Sequence, residues 1–173
     1  MTFSENTYSN KSPLVDFSSE WCLPCMNNTE HFYEVSLNWQ SGRIGMLHSS
    51  ELTTSVQVAT PPEFPNGIQG IWSPEHLLLA AVNSCLMTTF LSVSENAALE
   101  FINFESKAIG KLEMVDGKYM ISEVTLSPIL IIKDANQKER AERVLLKSEA
   151  NCLISNSVKS KIIFNPQVMV ENQ

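Results

Sequence analysis

Four cysteines carry whatever redox chemistry this chain can do: Cys22 and Cys25 in a CxxC, then Cys85 and Cys152, 67 positions apart. Cys85 stands in SPEHLLLAAVNSCLMTTFL, where Glu75 and His76 open the run and no charge follows until Glu95. A free cysteine in an apolar segment is usually a small buried hydrophobe. The reactive alternative pairs the two thiols: one thiolate is oxidised to a sulfenic acid, and the other condenses with it into a disulfide. That alternative needs a cation, because a mid-helix cysteine gains little from the helix N-terminus and apolar surroundings disfavour its thiolate. Arg43, in SGRIG, is the sole arginine before position 140. Glu75 could grip its guanidinium in a bidentate pair and aim it. The plainer readings are a solvated turn residue for Arg43 and, for Glu75, a first-turn carboxylate that suits the helix dipole.

The CxxC stands in LVDFSSEWCLPCM, which resembles the strand and redox turn of thioredoxin, with Leu23 in place of the usual glycine. Too little chain precedes His31 to build that fold. Three readings stand: a tail that contains the motif, an accessory dithiol that exchanges with the main site, or part of a metal site. A zinc site needs about four ligands, and only His31, His48 or His76 could join the cysteines. His48 and His76 each suit a surface or cap position.

A chain of 173 residues fits one domain with a sizeable core. The net charge of −7, with scattered basic residues, argues against a phosphate-tracking surface, so no nucleic-acid partner is expected. MTFSENTYSNKS has no apolar h-region, so no secretory signal is expected. The run 77–94 reaches the length of a membrane span, but Asn83, Ser84, Thr88 and Thr89 interrupt it. It reads as a buried core helix, with no membrane association, in a cytoplasmic protein. Four cysteines in a cytosolic chain point to redox chemistry or metal before structural disulfides.

The elements that must position these residues follow from periodicity. Tyr33, Val35, Leu37 and Trp39 alternate with polar residues, the period of a half-buried strand. SGRIG reads as a turn, Thr53 to Ala59 as a second strand, and TPPEFPNGIQG as a loop. Ser73 caps a helix that Pro74 opens and that extends to about Asn96. Its apolar residues cover most of its circumference, so protein should surround it, which favours an oligomer. Strands 101–115 and 118–133 form a hairpin around Asp116-Gly117. Asp134 or Asn136 caps a second helix with the stripe Ala141, Val144 and Leu145. A last strand, 161–170, is broken by Pro166. The order reads as α+β.

GIWSPEHLLLAAVNSC, followed by NCLISNS and preceded by SGRIG, resembles the OsmC/Ohr family of osmotically inducible and organic hydroperoxide resistance proteins. The resemblance runs over roughly residues 31 to 170. It implies an OsmC-like domain over 31–173 after an irregular tail over 1–30. It implies antiparallel sheets packed on a long central helix in an intertwined homodimer, with the active sites at the subunit interface. By the same resemblance Cys85 is the peroxidatic cysteine and Cys152 the resolving one. Arg43 stabilises the thiolate and orients the peroxide, and Glu75 holds Arg43. No cofactor is implied. SGRIG lacks the acidic residue that often follows this arginine in organic hydroperoxide resistance proteins, and PPEF…WSPE and CLISNS look closer to the broader OsmC-like branch.

Two functions from different classes follow. One is a thiol peroxidase that reduces organic hydroperoxides or hydrogen peroxide, recycled by a dithiol such as a dihydrolipoyl group or a thioredoxin-like protein. The other is an OsmC-like dimer that binds a small apolar ligand or senses redox state without significant turnover.

Overall fold

The computed structural model describes residues from Glu30 to Glu171, so Cys22 and Cys25, and every reading of the tail dithiol, lie outside it. The chain divides between Glu34 and Val35, and all the elements belong to the unit that begins at Val35.

Strands β1 (Ser36–Ser41), β2 (Ile44–His48) and β3 (Val56–Ala59) form an antiparallel sheet in the order β1-β2-β3. The turn expected at SGRIG is Gly42-Arg43, tied by the Trp39 indole N–H to the Gly42 carbonyl at 3.1 Å. The sequence reading missed β2, because the glycines of SGRIG hid a strand that starts immediately after the turn. The half-buried face expected of the first strand is a correction: Leu37 is 60% and Trp39 74% exposed. Their strand is the edge of its sheet, and the described residues leave both side chains largely uncovered.

The loop from 60 to 72 returns to this sheet through Ala59 N–H to Trp72 O at 2.9 Å. Gly67 is obligatory there, since a Cβ would lie 2.0 Å from the Pro61 carbonyl oxygen. Helix α1 (Pro74–Asn96) starts as expected, with the Ser73 hydroxyl accepting from His76 N–H and Pro74 in the first turn. Its far end has no basic residue of its own; the Arg140 guanidinium donates to the Ala97 carbonyl instead.

Strands β4 (Asn103–Val115) and β5 (Lys118–Ile132) are the expected hairpin. Asp116 (φ 50°) and Gly117 (φ 76°) both take positive φ, the geometry of a type I′ turn whose twist matches the strands. The Asp134 carboxylate caps a 3-10 turn (Ala135–Gln137), accepting from Asn136 N–H at 2.9 Å. Helix α2 (Lys138–Ala150) follows and buries Ala141, Val144 and Leu145 as its stripe requires. A five-residue helix, α3 (Leu153–Ser157), comes next.

The final segment is two strands, β6 (Lys161–Phe164) and β7 (Gln167–Val170), with Pro166 between them. Both lie parallel to β5. The second sheet is therefore mixed, where antiparallel pairing was expected throughout. Helix α1 crosses this sheet, and Val82 and Leu86 pack with Val124 and Leu126 into a core closed by Leu79, Ile154 and Phe164. Phe90 stacks on Phe104 with ring centroids 4.5 Å apart.

Helix α1 has the length and apolarity of a membrane span, and it packs here as the central helix of an α+β fold. It buries Val82, Leu86, Phe90 and Val93 at near four-residue spacing. Met87 is 41% and Leu91 44% exposed, so the described residues of one chain leave part of the helix uncovered, as expected of a helix apolar on nearly every side.

Candidate functional site

The packing of α3 against α1 joins residues that the sequence keeps far apart. The backbone N–H of Ile154, in the first turn of α3, donates to Cys85 Sγ at 3.4 Å. Cys152 is the N-cap of α3, held by its own N–H to Glu149 O and by its carbonyl, which accepts from Asn156 N–H, both at 3.0 Å. Both thiols are free. Cys152 is fully buried and Cys85 half-buried. Thr89, one turn along α1, places its hydroxyl 4.0 Å from Cys85 Sγ.

Burial pushes the Cys152 thiol up, and the Ser155 hydroxyl and backbone N–H pull it back. The neighbouring Cys85 thiol adds to the upward push. The Ile154 N–H bond sets Cys85 against the first turn of the helix that Cys152 caps, so the two thiols stand at one helix start. The half-buried partner is the one that a reagent in solution can reach. The division of labour between a reactive and a resolving thiol thus has a geometric basis: access at Cys85, burial at Cys152.

Glu75 sits in the first turn of α1, as expected. Its Oε2 is buried and has no hydrogen-bond partner. Arg43 is exposed on the β1–β2 turn, and among the described residues no ion pair joins it to Glu75. The two are nevertheless neighbours in outline. Arg43 lines an open recess of about 270 Å³ together with Leu37, Trp39, Val58 and Pro74, the residue before Glu75. Neither sulfur lines that recess. The structure therefore brings Cys85 to Cys152 and the Arg43 turn to the start of α1, but it does not close the Arg43–Glu75 pair within one chain.

The other candidates separate from the site. His76 Nδ1 lies 2.8 Å from Ser73 Oγ, as part of the cap of α1. Among the described residues, no group of three His, Cys, Asp or Glu side chains is placed to hold a metal. Sequence reasoning missed the donors on α3. The signal was present: Ser155 follows Cys152 by three, the spacing of an N-cap and its N3 residue.

The OsmC-like protein family model matches residues 67–167, a span that holds Glu75, Cys85 and Cys152 but not Arg43. An uncharacterized protein of Bacillus subtilis (strain 168), YmaD, is 25% identical over 138 residues, covering 77% of this chain and 90% of its own. An OsmC-like protein of unknown function from Vibrio cholerae superposes with a TM-score of 0.69 at 20% identity, over 78% of this chain and 99% of its own. An organic hydroperoxide resistance protein from Elizabethkingia anophelis superposes with a TM-score of 0.65 at 19% identity, over 83% of this chain and all of its own (100%). These two likenesses establish a shared fold. The family model spans more than half of the sequence and both meeting thiols, and the chain belongs to the OsmC-like family.

Proposed function

We propose that this protein is a thiol-dependent peroxidase that reduces organic hydroperoxides or hydrogen peroxide and acts as a homodimer. The observation that carries the reading is the meeting of a half-buried Cys85 with a fully buried Cys152 at the first turn of α3. The Cys85 thiolate attacks the terminal peroxide oxygen. An S–O bond forms, the O–O bond breaks, and the leaving alkoxide takes a proton to become an alcohol, or water from hydrogen peroxide. Cys85 is left as a sulfenic acid. The Cys152 thiolate attacks that sulfur, hydroxide leaves as water, and a Cys85–Cys152 disulfide remains. An external dithiol, of the dihydrolipoyl or thioredoxin-like kind, returns two electrons and two protons.

Cys85 needs positive charge nearby to be a thiolate at neutral pH. The Ile154 N–H supplies part of it. The rest is assigned to Arg43, held by Glu75. Buried carboxylate oxygens almost always have partners, so the unpaired Glu75 Oε2 favours an arrangement in which a guanidinium reaches it. Assembly of two chains is supported by what one chain leaves uncovered: Leu37 and Trp39 on edge strand β1, and Met87 and Leu91 on α1.

The test is a count of free thiols before and after stoichiometric cumene hydroperoxide, with hydrogen peroxide alongside and with turnover followed under an external dithiol. Loss of the Cys85 and Cys152 thiols together, with sustained peroxide consumption, is expected. Thiols that survive stoichiometric peroxide would refute the reading and leave an OsmC-like binding module.

A further inference from the structure

Among the polar side chains of α3, one has nothing to bond. Ser157 donates to Leu153 O at 2.8 Å, and the Asn156 amide donates to Ala150 O at 3.1 Å. The Ser155 hydroxyl is buried in a residue only 6% exposed and has no hydrogen-bond partner in the reduced protein. Cys152 is the N-cap of α3 and Ser155 its N3 residue, the two positions whose side chains share a helix start, and no cap hydrogen bond joins them while Cys152 is a thiol. The Ser155 hydroxyl and N–H nonetheless hold that thiol lower than burial alone would. A neutral thiol is a poor acceptor and a thiolate a good one, so a buried hydroxyl left unpartnered at this helix start finds its acceptor when Cys152 ionises.

Recycling of the disulfide is where that ionisation costs most. Thiol–disulfide exchange needs an accessible sulfur to attack and a leaving sulfur that tolerates negative charge. Cys152 is fully buried, so an incoming thiolate reaches the half-buried Cys85. Cys152 must then leave as a thiolate in the least hydrated part of the site. Resting on the peroxidase reading for the disulfide, we propose that Ser155 is the donor that receives the leaving Cys152 thiolate, directs reductant attack to the Cys85 sulfur, and thereby sets the rate of recycling.

The step balances. The reductant thiolate forms a bond to Cys85 Sγ, the Cys85–Cys152 bond breaks, and the electron pair goes to Cys152 Sγ, at the start of the helix whose N3 residue, Ser155, supplies the O–H and N–H. The second thiol of the reductant, as its thiolate, then displaces Cys85 as a thiolate and closes a disulfide in the reductant. Both protein sulfurs recover protons from water, which the two reductant thiols had released. The same donors serve the forward half-cycle by increasing the thiolate fraction of Cys152 for its attack on the sulfenic acid.

The experiment uses the full chain carrying Cys22→Ser and Cys25→Ser, oxidised with diamide rather than peroxide. A Cys85–Cys152 disulfide found by mass spectrometry is expected; if none forms, the paired-thiol reading itself falls, independently of Ser155. Reduction by dithiothreitol is then timed. Ser155→Ala should slow it roughly tenfold, the loss expected for one hydrogen bond to a charged group. Ser155→Thr, which keeps a hydroxyl, should recover most of that loss. In a Cys85→Ala background, Ser155→Ala should also move the pH midpoint of Cys152 alkylation upward, which loss of packing alone would not do. With a monothiol, the trapped mixed disulfide should sit on Cys85. An unchanged reduction rate, an unchanged alkylation midpoint, or a mixed disulfide on Cys152 would each overturn the proposal.

Discussion

Glu75→Gln asks whether the carboxylate at the start of α1 has a cation for a partner. In one chain its Oε2 is buried and unbonded, a state that costs on the order of 1–3 kcal/mol relative to a satisfied group. If that state persisted in the working protein, glutamine would relieve the cost and raise stability. The peroxidase reading predicts the opposite. A charge-assisted bond from Arg43 is worth about 1.5–3 kcal/mol, and glutamine removes it. At roughly 2–4 °C per kcal/mol for a chain of this size, the melting temperature should fall by about 3–12 °C. Loss of the helix-dipole interaction adds to the fall by about 0.3–1 kcal/mol whether or not Arg43 is involved. The decisive measurement is therefore a double-mutant cycle with Arg43→Ala, read both as melting temperature and as the single-turnover rate of Cys85 oxidation by cumene hydroperoxide. Both single variants should slow oxidation, and the double variant should be little slower than Arg43→Ala alone, because the carboxylate acts only through the guanidinium. Additive effects, within the ~0.3–0.5 kcal/mol expected of independent sites, would sever Arg43 from Glu75 and take the pair out of the site.

Cys85→Ser should abolish peroxide consumption with an unchanged circular dichroism spectrum, whereas Cys152→Ser should consume one equivalent and hold a trappable sulfenic acid that the wild type does not. Because burial raises the Cys152 thiol, its contribution to the stability of the reduced protein is complete below the ordinary thiol value of about 8.5 and is lost as pH climbs through the raised one. Cys152→Ser should therefore flatten the alkaline limb of a chemical-denaturation profile. Light scattering at micromolar concentration should give a dimer mass; a monomer mass would contradict the reading of Leu37, Trp39, Met87 and Leu91 as covered surface. Replacing both Cys22 and Cys25 by serine should leave turnover within about twofold under an external dithiol, since an ordinary thiol near pKa 8.5 is only a few per cent ionised at neutral pH. A tenfold drop would make the tail a built-in reductant.

Local chemistry determined much of this molecule from the sequence alone. Ser73-Pro74-Glu75 specified the start of α1, because an N-cap hydroxyl, a proline and a carboxylate each satisfy a need of the same helix end. Asp116-Gly117 specified the hairpin, because few residue pairs tolerate positive φ twice in succession. The stripe Ala141, Val144 and Leu145 specified the buried face of α2. The two thiols, together with Glu75 and Arg43, were visible as residue types that could work together. What no local rule contains is distance. Cys85 and Cys152 come together because α3, too short for any periodicity to reveal, docks its first turn on α1, turning Ile154 N–H toward the Cys85 sulfur while Cys152 caps the same helix. The same limit explains the misread edges. Alternation in β1 marks the side chains that need cover, and it is identical whether the cover comes from the same chain or from a second copy. Parallel pairing of β6 and β7 with β5 depends on where the chain returns after α3, which a run of β-branched residues does not record. Tertiary packing alone decided which cysteine is open and which is sealed, because burial is a property of everything that surrounds a side chain rather than of its neighbours in sequence.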